Sequence, residues 1–334
     1  MKHIKTILIL FAFVFLYACG GKEVGSSASN SAQEPLKTAP SISPDSAFAF
    51  VQKQVDFGPR VPNSKAHKEA SQWLKSKFES FGAAVTMQEF TDYVYDGTKV
   101  ELTNIIASFY PEKKKRIMLS AHWDTRPFSD QGSSEKYAVI DGANDGGSGV
   151  GVLMEVARAL SINEAPDVGI DIILFDGEDW GEHNDEASRD LPNDKRTWWC
   201  LGSQYWSKNK HKANYSAYYG ILLDMVGAPN ATFYYDSVSQ ENAGRVLQNV
   251  WSIAEKLGYG AMFKKELGFG RITDDHVYIN EDARIPMIDI IDYRPDTEVG
   301  FTPVWHTEND NMENISKETL GNVASLLMSV LYNE

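Results

Sequence analysis

Ile170-Asp171-Ile172-Ile173-Leu174-Phe175-Asp176-Gly177-Glu178-Asp179 changes character at one bond, where a largely apolar, β-branched run gives way to Asp-Gly-Glu-Asp. A short continuous apolar run of this kind reads as a strand buried on both faces of a sheet. Two other stretches repeat the pattern. Arg116–Ser120 runs into Ala121-His122-Trp123-Asp124, and Gly220–Leu223 runs into Asp224-Met225-Val226-Gly227. Ile285–Ile291 is a fourth apolar run. Helical periodicity fills the gaps: Val150, Leu153, Met154, Ala157 and Leu160 follow Gly146-Gly147-Ser148-Gly149, and Ala243–Leu257 is closed by Gly258. Ser316 caps a last helix with Leu320, Val323, Leu326, Leu327 and Val330 inward. The alternation predicts an α/β fold with a mixed, mostly parallel central sheet flanked by helices on both faces. Ligands of such sheets bind beyond the carboxyl ends of the strands, so polar clusters distant in sequence meet there.

Towards the amino terminus, Ser43-Pro44 is a cap-then-proline helix start. Lys65–Phe81 carries Trp73, Leu74, Phe78 and Phe81 at helical spacing and stops at Gly82. Ala84–Phe90 and Leu102–Phe109 alternate as strands do. Ahead of all this, Lys2 and Lys5 precede an apolar run, Ile7–Ala18, too short to span a bilayer, which takes ~20 residues. Leu16-Tyr17-Ala18-Cys19 resembles a bacterial lipoprotein cleavage box, which implies removal of residues 1–18, lipidation of Cys19 and residence in the cell envelope, with the membrane touched only through that anchor. Residues 19–43, rich in Ser, Ala, Gly and Pro, read as a flexible tether that adds nothing to the core. Residues 44–334 read as a single catalytic domain, large enough to bury its own core and so expected to be a monomer.

The formal charge is −14, and loss of the leader's lysines makes the chain more acidic still, which argues against a nucleic-acid partner. Lys113-Lys114-Lys115-Arg116 reads as a solvated turn before a strand. Past Cys19 only Cys200 remains, and with no His or Asp motif around it, it reads as a buried apolar residue. Gly147-Ser148-Gly149-Val150-Gly151 lacks the glycine spacing of a dinucleotide loop, and no Gly-x-Ser-x-Gly elbow follows a strand.

Three clusters depart most from the average: Asp141-Gly142-Ala143-Asn144-Asp145-Gly146-Gly147, Glu178-Asp179, and Trp305-His306-Thr307-Glu308-Asn309-Asp310-Asn311. Asp145, Asp179 and His306 supply one imidazole and two carboxylates, a donor set for catalytic zinc that leaves a position for water or substrate. His122 and Asp224 can complete a second metal position. A single acid at a strand end usually caps a helix, and His122 alone is more often a satisfied core residue. Five such groups together would leave buried charges unpaired without a cation.

The order His122-Trp123-Asp124, Asn144-Asp145-Gly146-Gly147-Ser148-Gly149, Glu178-Asp179, Leu201-Gly202-Ser203, Asp224 and His306 resembles the zinc-dependent aminopeptidase superfamily, from about residue 45 onward. Within it, Phe175–Asp179, Thr273-Asp274-Asp275-His276, Leu222–Gly227 and above all Pro303–Asn311 are similar to glutaminyl-peptide cyclotransferases of the animal type. The resemblance implies one zinc on Asp145, Asp179 and His306, Glu178 as general acid and base, and Asp224 and Asp274 as a hydrogen-bonded acidic pair beside it. It implies Trp305 in the glutamine pocket, a cis peptide after Asp145, and peptide or protein amino termini as substrates, cyclised to pyroglutamate with loss of ammonia. The alternative within the superfamily is an aminopeptidase with two zinc ions, the second on His122 and Asp224; a non-catalytic peptide-binding lipoprotein is a third reading. The chain departs from the cyclotransferase pattern at Asp179, where the family has Glu, and at Asp289, where it has His. The family's tryptophan after the Glu pair has three candidates, Trp180, Trp198 and Trp199, and Gly181–Asp194 reads as an inserted loop.

Overall fold

The computed structural model describes residues 35–131, 137–182, 191–192, 195–268 and 270–334. The leader, Cys19, the first part of the tether and most of the Gly181–Asp194 loop lie outside these residues. Leu36–Glu334 is one compact unit. No helix among the described residues is long and apolar enough to cross a membrane.

The elements run α1 (Pro44–Val55), α2 (Lys65–Ser80), β1 (Ala84–Tyr93), β2 (Lys99–Phe109), β3 (Arg116–His122), α3 (Gly147–Ile162), β4 (Gly169–Phe175), α4 (Leu201–Lys208), β5 (Tyr219–Asp224), β6 (Phe233–Tyr235), α5 (Ser237–Lys256), β7 (Phe263–Leu267), α6 (Asp275–Glu281), β8 (Met287–Ile291) and α7 (Lys317–Tyr332). The main sheet is ordered β1-β2-β4-β3-β5-β8. The β1–β2 hairpin and its pairing to β4 are antiparallel, whereas β4, β3, β5 and β8 run parallel. The sheet is therefore mixed and mostly parallel, as its apolar runs predict. Every residue of β3 and β4 is buried. Alternate side chains go to opposite faces: Ile117, Leu119 and Ala121 join the core under α1, α3 and α7, while Met118 joins Ile173, Leu222 and Trp206 on the α4–α6 side. α3 lies close against the sheet because Gly149 offers no side chain where a Cβ would fall 2.6 Å from the Leu223 carbonyl.

The Ser43 and Ser316 hydroxyls cap α1 and α7 as the sequence predicts, and Ser64 caps α2 in the same way, each accepting from a backbone N–H of its helix. Several boundaries move. β8 begins at Met287 rather than Ile285, because Pro286 has no N–H and the Asn280 side chain brackets Met287 through both its N–H and C=O. α5 begins at Ser237, capped by Asp236, ahead of a kink at Ala243. The tether also needs correction: Leu36, Ala39 and Ile42 pack on the core, and Lys37 exchanges hydrogen bonds with Asn333 at the far end of the chain. The folded unit thus starts near Leu36, eight residues before Pro44.

Candidate metal centre and its pocket

His122 and Asp224 are the last residues of β3 and β5, and Glu178-Asp179 follows β4. The parallel register sets these ends side by side. Asp145 comes in from the loop before α3, Trp305-His306 from the loop before α7, and Asp274 as the N-cap of α6. Buried polar groups hold each loop by its backbone. The Asp124 carboxylate accepts from the N–H groups of Glu178 and Asp179, both at 3.1 Å. Asp310 accepts from Asn144 and Asp145 at 2.7 and 3.1 Å. The fully buried Arg60 donates to the carbonyls of Trp123, Asp141 and Gly142. Each loop is thereby fixed before any ligand arrives.

Asp145, Asp179 and His306 converge. His306 Nε2 lies 3.1 Å from Asp179 Oδ1 and 3.6 Å from Asp145 Oδ2. Zinc bonds of ~2.0–2.1 Å at tetrahedral angles separate neighbouring ligand atoms by ~3.3 Å, so the trio fits that ion. Its chemistry fits as well, because His306 Nδ1 is committed to Asp130 Oδ1 at 3.0 Å, which leaves Nε2 for the centre. His122 Nε2 lies 3.0 Å from Asp145 Oδ1 and 3.3 Å from Asp224 Oδ1, so a second trio shares Asp145. Burial lowers the affinity of both imidazoles for a proton, yet the surrounding carboxylates win and raise the His122 pKa well above normal and that of His306 above normal.

The centre forms one wall of a cavity of about 170 Å³, smaller than the ~300–1,000 Å³ of sites that take drug-sized ligands. That volume suits one side chain rather than a length of polypeptide. Glu178 and Asp274 continue the acidic wall, while Met225, Ile272, Phe301 and Trp305 make an apolar one. Among the described residues no Lys or Arg lines it. Trp305 stacks on the His306 ring at 3.8 Å. Trp199 also lines the cavity, whereas Trp180 packs with the Phe90 cluster and Trp198 lies under Lys195.

Burial pushes the Glu178 carboxyl well above the usual range, and Asp274, Asp179 and Asp275 push the same way against His122. Asp274 is pushed up to about 7 by burial and by Asp224. Asp224 and Asp274, the expected acidic pair, lie close enough for the charge of Asp224 to raise the Asp274 pKa. Asp224 faces His122, while Asp274 reaches Glu178 and Cys200 on one side and His276 and Asp289 on the other. Asp289 is fully buried, and burial together with its acidic neighbours, Asp274 first among them, holds its pKa well above normal. Cys200 is buried as expected but is no mere apolar filler, since its thiol donates to Glu178 Oε1 at 3.1 Å. No peptide among the described residues is cis; Gly146 turns the chain after Asp145 with a φ of 79° instead. Arg60, Asp124, Asp130 and Asp310 are supports that sequence alone does not reveal, although Asp124 and Asp310 stand inside the His122-Trp123-Asp124 and Trp305–Asn311 motifs.

The Peptidase family M28 model matches residues 104–331. The chain is 49% identical to a Zn-dependent exopeptidase from Parabacteroides distasonis, covering 89% of this chain and 100% of that one with a TM-score of 0.84. It is 47% identical to Tannerella forsythia glutaminyl cyclase, covering 88% and 100% with a TM-score of 0.84. Among curated relatives, aminopeptidase YwaD of Bacillus subtilis is 27% identical over 90% of this chain, which spans only 59% of that protein's length. The glutaminyl-peptide cyclotransferase of Gloydius blomhoffii is 25% identical over 80% of this chain and 75% of its own. The matched span contains all three residues of the His306 trio, and the chain belongs to peptidase family M28.

Proposed function

We propose that this chain is a glutaminyl-peptide cyclotransferase that converts the amino-terminal glutamine of peptides or proteins to pyroglutamate and releases ammonia. The observation that carries the reading is the half-buried Glu178 carboxyl, its pKa raised by its desolvated surroundings and acidic neighbours, at the wall of a one-side-chain cavity beside the Asp145–Asp179–His306 trio. The 47% identity to a bacterial glutaminyl cyclase over nearly the whole folded unit supports it.

Asp145, Asp179 and His306 would hold one zinc ion, which supplies Lewis-acid polarisation of the substrate's γ-carboxamide carbonyl. The acidic wall draws in the substrate ammonium, and the apolar wall at Phe301 and Trp305 takes the methylenes of glutamine. Once the ammonium has lost one proton to solvent, the α-amine nitrogen bonds to the carboxamide carbon and Glu178 accepts the proton this nitrogen sheds. Glu178 then returns the proton to the amide nitrogen as the C–N bond breaks, so that the group leaves as ammonia. The walls of the cavity hold the glutamine chain folded for this intramolecular attack. Asp274, pushed up to about 7 by burial and by Asp224, stands beside Glu178 in the acidic wall. Lipidated Cys19 would tether the enzyme to the cell envelope.

Ammonia release from a glutamine-initiated dipeptide, abolished by a chelator and restored by zinc, is the expected result. The second reading, an aminopeptidase, draws on the His122–Asp145–Asp224 trio, which has room for another ion. Two tightly bound zinc ions per chain, with hydrolysis of a leucine-initiated peptide and no ammonia, would replace the first reading with the second.

A further inference from the structure

Arg126 lies four residues past His122 and is 2% exposed, yet it belongs to no recognised motif. Its guanidinium bridges the Asp179 side of the centre to Asp130, the partner of His306. Nη1 donates to the Asp179 carbonyl at 3.1 Å and reaches Asp179 Oδ1 at 3.4 Å. Nη2 donates to Asp130 Oδ2, and the other oxygen of Asp130 holds His306 Nδ1 at 3.0 Å. The guanidinium carbon sits 4.8 Å from the ring centroid of Trp199, which lies parallel to His306 within 12°. One planar cation thus links the Asp179 side, the His306 side and a wall of the pocket.

We propose that Arg126 is the positioning residue of the metal centre, fixing Asp179 and His306 relative to each other so that they meet one ion. The inference rests on the metal-site reading above. Asp179 has a short side chain, so its carboxylate has little freedom to compensate for a misplaced backbone, and Arg126 fixes that backbone through the carbonyl. His306 sits at a left-handed φ of 55°, a backbone state that depends on its surroundings, and its ring is oriented through Asp130. The task needs a fork: two nitrogens in one plane on two separate partners, with a flat face on Trp199. An ammonium brings the same charge without that geometry.

The test measures zinc affinity by competition with a chromophoric chelator, independently of turnover. Loss of an outer-shell partner weakens metal binding ~10–100-fold. Arg126→Lys is expected to show such a loss, with an altered visible spectrum in the cobalt-substituted protein. Asp130→Asn is a second, milder route to the same break, and the double variant should lose scarcely more than either single one. Wild-type zinc affinity and cobalt spectrum in Arg126→Lys would overturn the inference, leaving charge balance as the residue's role. Additive losses in the double variant would overturn it too. Failure of the wild-type protein to bind zinc at all would instead sink the metal-site reading on which it rests.

Discussion

Glu178 carries more of the proposed chemistry than any other side chain, and its surroundings explain how. A carboxyl that must take and return a proton works best with a pKa near the working pH. Burial and three acidic neighbours drive it upward, the Cys200 thiol donates to it, and a bound cation would draw it back down. Glu178→Gln keeps the shape and removes the proton carrier. Because Glu178 is not one of the zinc-holding trio, the variant should bind a full complement of zinc while kcat falls ~100- to 10,000-fold. Metal analysis beside steady-state ammonia release checks this. A variant that lost zinc would make Glu178 a ligand rather than a base.

At the scale of elements, the site depends on short pieces packed with no slack. Cys200 is the N-cap of α4, and Gly202 in the first turn faces the end of β4. A Cβ there would lie 2.5 Å from Asn104 Oδ1 and 2.6 Å from both the N and O of Asp176. Gly202→Ala should therefore cost ~1–3 kcal/mol in urea unfolding and lower activity, since the strain passes directly to Cys200 and Glu178. Gly244, in α5 with nothing within 4 Å of its would-be Cβ, is the matched control. Gly244→Ala should stabilise by up to ~1 kcal/mol and leave activity alone. If both changes behaved alike, close packing at α4 would not be what holds the site. These short elements also mark where sequence reading stops. Strands buried on both faces announce themselves as unbroken apolar runs, and the acids that end them could be placed at one sheet edge without a structure. α4 and α6 span two turns of mixed polar and aromatic residues, so no period emerges from them. Arg126 and Asp130 are equally silent in sequence, because their partners Asp179 and His306 lie about 50 and 180 positions away.

The folded unit closes on itself where Lys37 meets Asn333, and it balances its buried charge on two sides of the sheet. On the side away from the metal centre, Asp171 accepts from Arg116, Ser108 and Tyr215, a satisfied network under the strand starts. His211 stands beside it. Trp206 Nε1 donates to His211 Nδ1 at 3.2 Å, which requires that nitrogen to be unprotonated, and Nε2 is buried without a partner. Burial holds the imidazole down to about 4; Asp171 opposes this, while Lys212 and Arg116 reinforce it. Between ~6.5, the value for an exposed imidazole, and 4 the unfolded chain binds a proton that the folded one refuses. The stability from His211 is therefore complete above the upper limit and lost as the pH falls through this window. A full shift of that size equals ~3 kcal/mol, and partial exposure reduces it to ~1–2 kcal/mol. His211→Asn retains an acceptor for Trp206 and cannot titrate. Its melting temperature should fall less between pH 7 and pH 4.5 than that of the unaltered protein, measured on the metal-free form so that ligand protonation does not intrude. Parallel curves for the two proteins would show that the acid sensitivity of the fold arises elsewhere.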